Sequence, residues 1–128
     1  MIRQRSIPTA MLWKKIIFNL LSNAFKYTPR YGYIHVEISQ NEPDKTLYLL
    51  VRNSGKGLTE QQMAEIFDKY KIFDTPKLGN SVSNGIGLNL TKSLVELLGG
   101  QISVNSELGK SVEFSVVIPS LPSDHHLL

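Results

Sequence analysis

Two asparagines one helical turn apart, set into an otherwise apolar segment, constrain this chain more than any other feature. In Phe18-Asn19-Leu20-Leu21-Ser22-Asn23-Ala24-Phe25-Lys26-Tyr27-Thr28-Pro29, a helical period stacks Asn19 and Asn23 on one face, and Lys26 follows three positions on. Trp13, Ile16, Ile17, Leu20, Leu21 and Ala24 supply the apolar stripe of a core helix. The carboxamides therefore lie beside buried surface and need partners. They either cap neighbouring backbone groups or serve a ligand. Thr9 after Pro8 fits an N-cap, and Pro29 biases Thr28 away from helical dihedrals. The helix is thus predicted from Thr9 to about Phe25 or Lys26.

Around this helix the chain alternates between strand and turn signals. Ile2 to Ile7 is a short alternating stretch, read as an edge strand without signal-peptide character. Tyr33 to Ser39 and Thr46 to Arg52 alternate in the same way, and Asn41-Glu42-Pro43-Asp44 between them predicts an antiparallel hairpin. His35 stands on a strand without a second metal ligand at suitable spacing, so no metal role is assigned to it. A short helix is predicted from Thr59 to about Phe67, and a longer one from Leu88 to Leu98, with Leu90, Leu94, Val95, Leu97 and Leu98 turned to the core. Gly99-Gly100 ends that helix. Two strands follow, Gln101 to Ser106 and Val112 to Ile118, joined by Glu107-Leu108-Gly109-Lys110.

The glycine-bearing stretches point to a ligand. Gly55 and Gly57 sit at a strand end, where absent side chains let the backbone pass close to a flat or charged group; an ordinary turn is the other reading. Asp74 to Asn84 has neither period and is of a length at which a connection is usually functional, so it is read as a lid. It runs into Ser83-Asn84-Gly85-Ile86-Gly87-Leu88, a glycine loop feeding a helix start. Such a loop offers free N–H groups and the positive end of the helix dipole to an anion, phosphate being the natural one.

Composition excludes several classes. The chain has 128 residues and no cysteine, so neither a disulfide framework nor a thiolate metal site is available. Its net charge of +3 is scattered rather than gathered in a basic stripe, which argues against nucleic-acid binding. No apolar run approaches the roughly 20 residues of a membrane span, so no direct membrane contact is expected. The chain is read as one domain over 1–128, a piece of a longer protein, with 120–128 a flexible tail holding His125 and His126.

Taken in order, the asparagine helix, Gly55-x-Gly57, the Phe67/Tyr70/Phe73 segment, Gly85-Ile86-Gly87-Leu88 and the Leu108-Gly109-Lys110 turn resemble the N box, glycine boxes and F box of the catalytic ATP-binding domain of sensor histidine kinases. The resemblance covers about Thr9 to Pro119, and the wording around Lys71-Ile72-Phe73-Asp74 and Asn84 to Leu88 is most like hybrid kinases. It implies an α/β fold, the Bergerat two-layer sandwich, with a mixed, mostly antiparallel sheet and about three helices on one face. It also implies ATP and Mg²⁺ as cofactors. Partners would be a helical domain bearing a phosphoacceptor histidine and a response-regulator receiver, in a cytoplasmic domain of a membrane-anchored parent.

Carried over by residue, Asn23 is similar to the magnesium ligand, with Asn19 near the phosphates, Lys26 on a phosphate and Tyr27 bordering the nucleotide. These three, Asn19, Asn23 and Lys26, are the implied catalytic group. Gly55 and Gly57 pass the adenine, Ser83 to Leu88 with Gly85 and Gly87 close on the phosphates, and Lys69 and Lys71 are further phosphate contacts. Phe67 and Tyr70 resemble the pair that docks on the phosphoacceptor helix; core aromatics are the other reading. Three positions depart from the pattern. Asn53 replaces the usual adenine-reading aspartate, Val112 the supporting threonine, and Lys15 an acidic or amide residue four before Asn19. An ATP-Mg enzyme part that donates the γ-phosphoryl group and a docking module with a weakened nucleotide pocket both follow. An ATPase or serine kinase of the same superfamily is a third reading.

Overall fold

The structure is a computed structural model and describes residues 9–68 and 83–119, by backbone alone over 83–87. Its elements run α1 (Thr9–Tyr27), β1 (Ile34–Gln40), β2 (Leu47–Ser54), α2 (Glu60–Glu65), α3 (Ser83–Leu97), β3 (Gln101–Glu107) and β4 (Ser111–Ile118). The described strands form one four-stranded sheet in the order β1-β2-β4-β3, every neighbouring pair antiparallel. This is the expected α/β layering of sheet and three helices. The edge-strand reading of Ile2 to Ile7, and Tyr70 and Phe73, fall outside the described residues; of the lid read as Asp74 to Asn84, 74–82 fall outside too, while Ser83 and Asn84 are helical in α3 rather than loop.

Alternation along the strands builds the core. Leu49 and Val51 of β2 and Phe114, Val116 and Ile118 of β4 turn one face inward, where Ile16, Leu20 and Ala24 of α1 and Val95 of α3 meet them. α1 packs on β2 and against α3, which also reaches β3. β1 lies at the edge; beyond half-buried Ile34 its residues are exposed. The helix start read at Thr59 and the helix stop read at Gly99-Gly100 each take a specific form. Thr59 and Gln62 form a capping box at the start of α2, which satisfies backbone donors that the helix itself cannot. Past α3, Gly99 adopts φ +79 and Gly100 N–H donates to Val95 O, the left-handed exit that glycine permits.

α3 departs from expectation twice. It begins at Ser83 rather than Leu88, so Gly85 and Gly87 lie inside its first turns. Glycine costs up to about 1 kcal/mol relative to alanine in a helix interior, a disfavour that ten following residues of helix outweigh. Leu90 and Leu97 are 44% and 69% exposed, while Leu88, Thr91 and Val95 are buried. The segment has more leucines than one face can hold, and packing against α1 and β3 selects which turn inward.

Candidate functional site

The site is assembled where the C-terminal half of α1, the end of β2 and the β3–β4 turn converge. Asn19 and Asn23 are half-buried on α1, and neither side chain hydrogen-bonds another described residue. Polar groups at the margin of a core are normally paired, so these two carboxamides suit a ligand better than a structural cap. Lys26 is exposed and Tyr27 half-buried in the last turn, each engaged by a neighbouring group. Among the described residues no three His, Cys, Asp or Glu side chains gather to hold a metal. The asparagine oxygens fit magnesium all the same, since that ion takes few protein ligands and keeps water and phosphate oxygens around it.

Asn53 is the second anchor. It is 4% exposed, and the strand register sets it directly opposite Val112, with Ile34 and Ser106 completing the row across the sheet. Two of the three departures noted in the sequence are thus cross-strand neighbours on the helix-bearing face. Asn53 Nδ2 donates to Ser54 O at 2.9 Å. That bond fixes the amide, because a flip would set Oδ1 against a carbonyl oxygen. Oδ1 is therefore left as an acceptor that no described residue uses, a buried oxygen suited to a donor such as an exocyclic amino group.

The Gly55-Lys56-Gly57 segment is tied to the β3–β4 turn. Gly55 N–H donates to Lys110 O at 3.0 Å, Gly109 N–H to Lys56 O at 2.7 Å, and Leu58 N–H to Ser106 Oγ at 2.8 Å. Ser106 Oγ in turn donates to Ser111 O. Gly57 has φ +77, and a Cβ there would stand 2.6 Å from Glu107 O. A Cβ on Gly55 would meet Tyr27 O at 3.1 Å and Asn53 Nδ2 at 3.6 Å. Both glycines thus make close approaches to the protein's own backbone, which a sequence cannot distinguish from an approach to a ligand.

Tyr27 and Gly55 share an open surface groove of about 670 Å³ with Pro29, Lys56, Leu108 and Lys110. Lys56 brings positive charge to it, and Lys110 lines it with its ammonium 3.5 Å from Glu107 Oε2. Neither was singled out from sequence, because only the β3–β4 hairpin bonds bring Lys110 beside the end of β2. Leu88, by contrast, is 5% exposed and belongs to the core, so its side chain packs while the backbone before it forms the start of α3. Of the other predicted residues, Lys69 and Lys71 lie outside the described residues, as do the side chains of Ser83, Asn84 and Ile86. Phe67 packs edge-on against Phe114 with ring centroids 6.1 Å apart, and its carbonyl accepts from Asn89 Nδ2. It is anchored to the core.

The opposite face of the same sheet end is polar and self-satisfied. Arg52 donates through Nε and a terminal nitrogen to Glu113 Oε1 at 3.0 and 2.7 Å, and this hydrogen bond holds the guanidinium above its ordinary pKa. His35 pairs with Glu37 at 2.8 Å. No helix of the described residues is long and apolar enough to cross a membrane.

Residues 9–122 match the family described as histidine kinase-, DNA gyrase B-, and HSP90-like ATPase. The circadian input-output histidine kinase CikA of Synechococcus elongatus is 38% identical over 106 residues, 83% of this chain and 14% of that protein. The chain thus spans a small part of this curated relative. The mycobacterial sensor histidine kinase MprB shares the fold with a TM-score of 0.70 at 22% identity, over 88% of this chain and 74% of that one. Full-length ShkA, solved in complex with AMPPNP, gives 0.69 at 23% identity, over 86% of this chain and 22% of that one.

Proposed function

The chain belongs to the histidine kinase-, DNA gyrase B-, and HSP90-like ATPase family, and from that premise we propose that it is the ATP-Mg-binding catalytic domain of a sensor histidine kinase, presenting the γ-phosphoryl group to a histidine on a separate helical domain. The observation that carries the reading is the buried, directionally fixed Asn53 carboxamide, whose Oδ1 has no partner among the described residues. The adenine amino group is a donor that this oxygen fits. The kinase names of relatives such as CikA, and the AMPPNP bound to ShkA, support the same assignment.

Asn23 would lend an oxygen to magnesium, Asn19 would support the phosphate side of that site, and Lys26 would meet a phosphate as a point charge. Tyr27 borders the nucleotide beside Gly55 and Gly57. The backbone from Ser83 through Asn84 to Gly85 opens α3 and offers its free N–H groups to phosphate, the N–H groups of Ile86, Gly87 and Leu88 being used inside the helix, with Lys69 and Lys71 as further contacts. Magnesium, when bound, supplies neutralisation of phosphate charge. The residues of this chain contribute positioning and electrostatics, which is most of what phosphoryl transfer asks of a protein. The accepting imidazole is itself the nucleophile, so Lys15 in place of an acidic residue is compatible with transfer. The partners are then a phosphoacceptor helix and, downstream, a receiver, in the cytosolic part of a membrane-anchored parent.

Calorimetry with ATP and magnesium tests the assignment. Asn23→Ala is expected to abolish magnesium-dependent nucleotide binding and leave the ligand-free melting temperature nearly unchanged, because its side chain supports no described hydrogen bond. Unfolding of the variant with normal binding per folded molecule would make Asn23 structural. A docking module is the second reading, favoured by Val112 standing where a hydroxyl would assist Asn53. Absence of nucleotide binding by the native chain would select it.

A further inference from the structure

α1 has an outward face that nucleotide binding does not use. Met11, Phe18 and Phe25 recur at seven-residue intervals and are 52%, 67% and 71% exposed. At about 100° per residue the three fall within an arc of about 40°, opposite buried Ile16, Leu20 and Ala24, and the stripe runs about 21 Å along the helix. Exposed Lys14 borders one side of the arc and exposed Lys15 the other. α1 contains no acidic residue. Large apolar side chains aligned in this way are not the scattered singles of an ordinary surface.

The chemistry of the stripe selects its occupant. A lipid surface calls for a wide apolar face, of roughly 100° or more, whereas a narrow seven-residue seam is the geometry of helix against helix. A second copy of α1 in either direction would bring lysines against lysines with no carboxylate to meet them, which disfavours self-pairing. We propose that the outer face of α1 is a docking seam for an acidic amphipathic helix, one whose apolar residues follow the seven-residue repeat and are flanked by Asp or Glu. Met11, Phe18 and Phe25 enter the apolar seam of that helix, and its carboxylates lie along the lysine borders. This inference does not depend on the nucleotide reading.

The test uses the chain as it stands and two labelled synthetic helices of three heptads, with leucine at the a and d positions and either glutamate or lysine at e and g, read by fluorescence anisotropy. The glutamate helix is expected to bind and the lysine helix not to. Phe18→Gln with Phe25→Gln should weaken binding at least tenfold with the melting temperature retained. Lys14→Glu with Lys15→Glu should reduce binding of the glutamate helix and admit the lysine helix. No binding of the glutamate helix at about 1 mM, the weak end of recognition, overturns the proposal, as do equal binding of both helices and an unaffected phenylalanine double variant. Binding to phosphatidylglycerol vesicles in place of the peptide, or self-association lost in that variant, assigns the stripe to a membrane or a second copy and overturns it equally.

Discussion

Arg52 and Asn53 are adjacent on β2 and face opposite sides of the sheet, and their hydrogen bonding separates structure from function. Arg52 lies across from Glu113 and spends two donors on it, in a row with His35 and Asn105 on the open face. Asn53 lies across from Val112, is buried, and has one end fixed on Ser54 O with the other available. The charged residue is the more conspicuous in a sequence, yet it is complete without a ligand. A neutral amide with a buried acceptor and no described partner is the one that a ligand can complete.

Between these two residues the larger effect is expected at the incomplete one. Asn53→Ala removes the acceptor and should weaken ATP binding roughly ten- to hundredfold by calorimetry, with about 1–2 kcal/mol of ligand-free stability lost as Ser54 O loses its donor. Unchanged affinity would place adenine recognition elsewhere and end the contrast between the two faces.

Restoring the residues that the family resemblance implies should act in the other direction. Asn53→Asp with Val112→Thr adds charge assistance and a cross-strand hydroxyl, for about ten- to thirtyfold tighter ATP binding. The same pair should lower the ligand-free melting temperature, because a carboxylate oxygen then faces Ser54 O in place of a donor. Tighter binding together with lower stability is the signature, and stability gained in step with affinity would contradict it.

Base choice is a smaller effect and revises what a free carboxamide suggests. An unconstrained Asn could present either end and accept guanine as readily as adenine, but the Nδ2 bond to Ser54 O leaves the oxygen outward. Competition between ATP and GTP should then favour ATP by about tenfold, since a guanine carbonyl would meet an acceptor. Equal affinities would show that the amide turns on binding.

The smallest change is expected on the open face. Arg52→Gln with Glu113→Gln removes an ion pair between partly exposed groups, the kind whose net contribution is small, and should leave nucleotide affinity and melting temperature within error. The raised Arg52 pKa favours the folded state below the unfolded value and is lost only as pH climbs through the folded one, so no titration of it belongs to the ordinary pH range.

Much of this protein was legible before any coordinates, because helical and strand periods are local. The apolar stripe around Asn19 and Asn23, the alternation that became β1 to β4, the helix start at Thr59 and the glycine exit at Gly99 each depend on residues a few positions apart. Leu90 and Leu97 were misread because a leucine-rich helix has several possible inward faces, and the partners that choose among them, α1 and β3, are distant in the chain. Gly57 was legible as a special backbone position, but its neighbour, Glu107 O, comes from another hairpin. Sequence by itself determined which residues are amides, glycines and apolar repeats, and hence the layered fold. Tertiary structure alone decided that Asn53 and Val112 face each other, that Asn53 is buried with its oxygen left over, and that Lys110 reaches the end of β2. Register and burial are relations between segments far apart in the chain, and only folding brings those segments together.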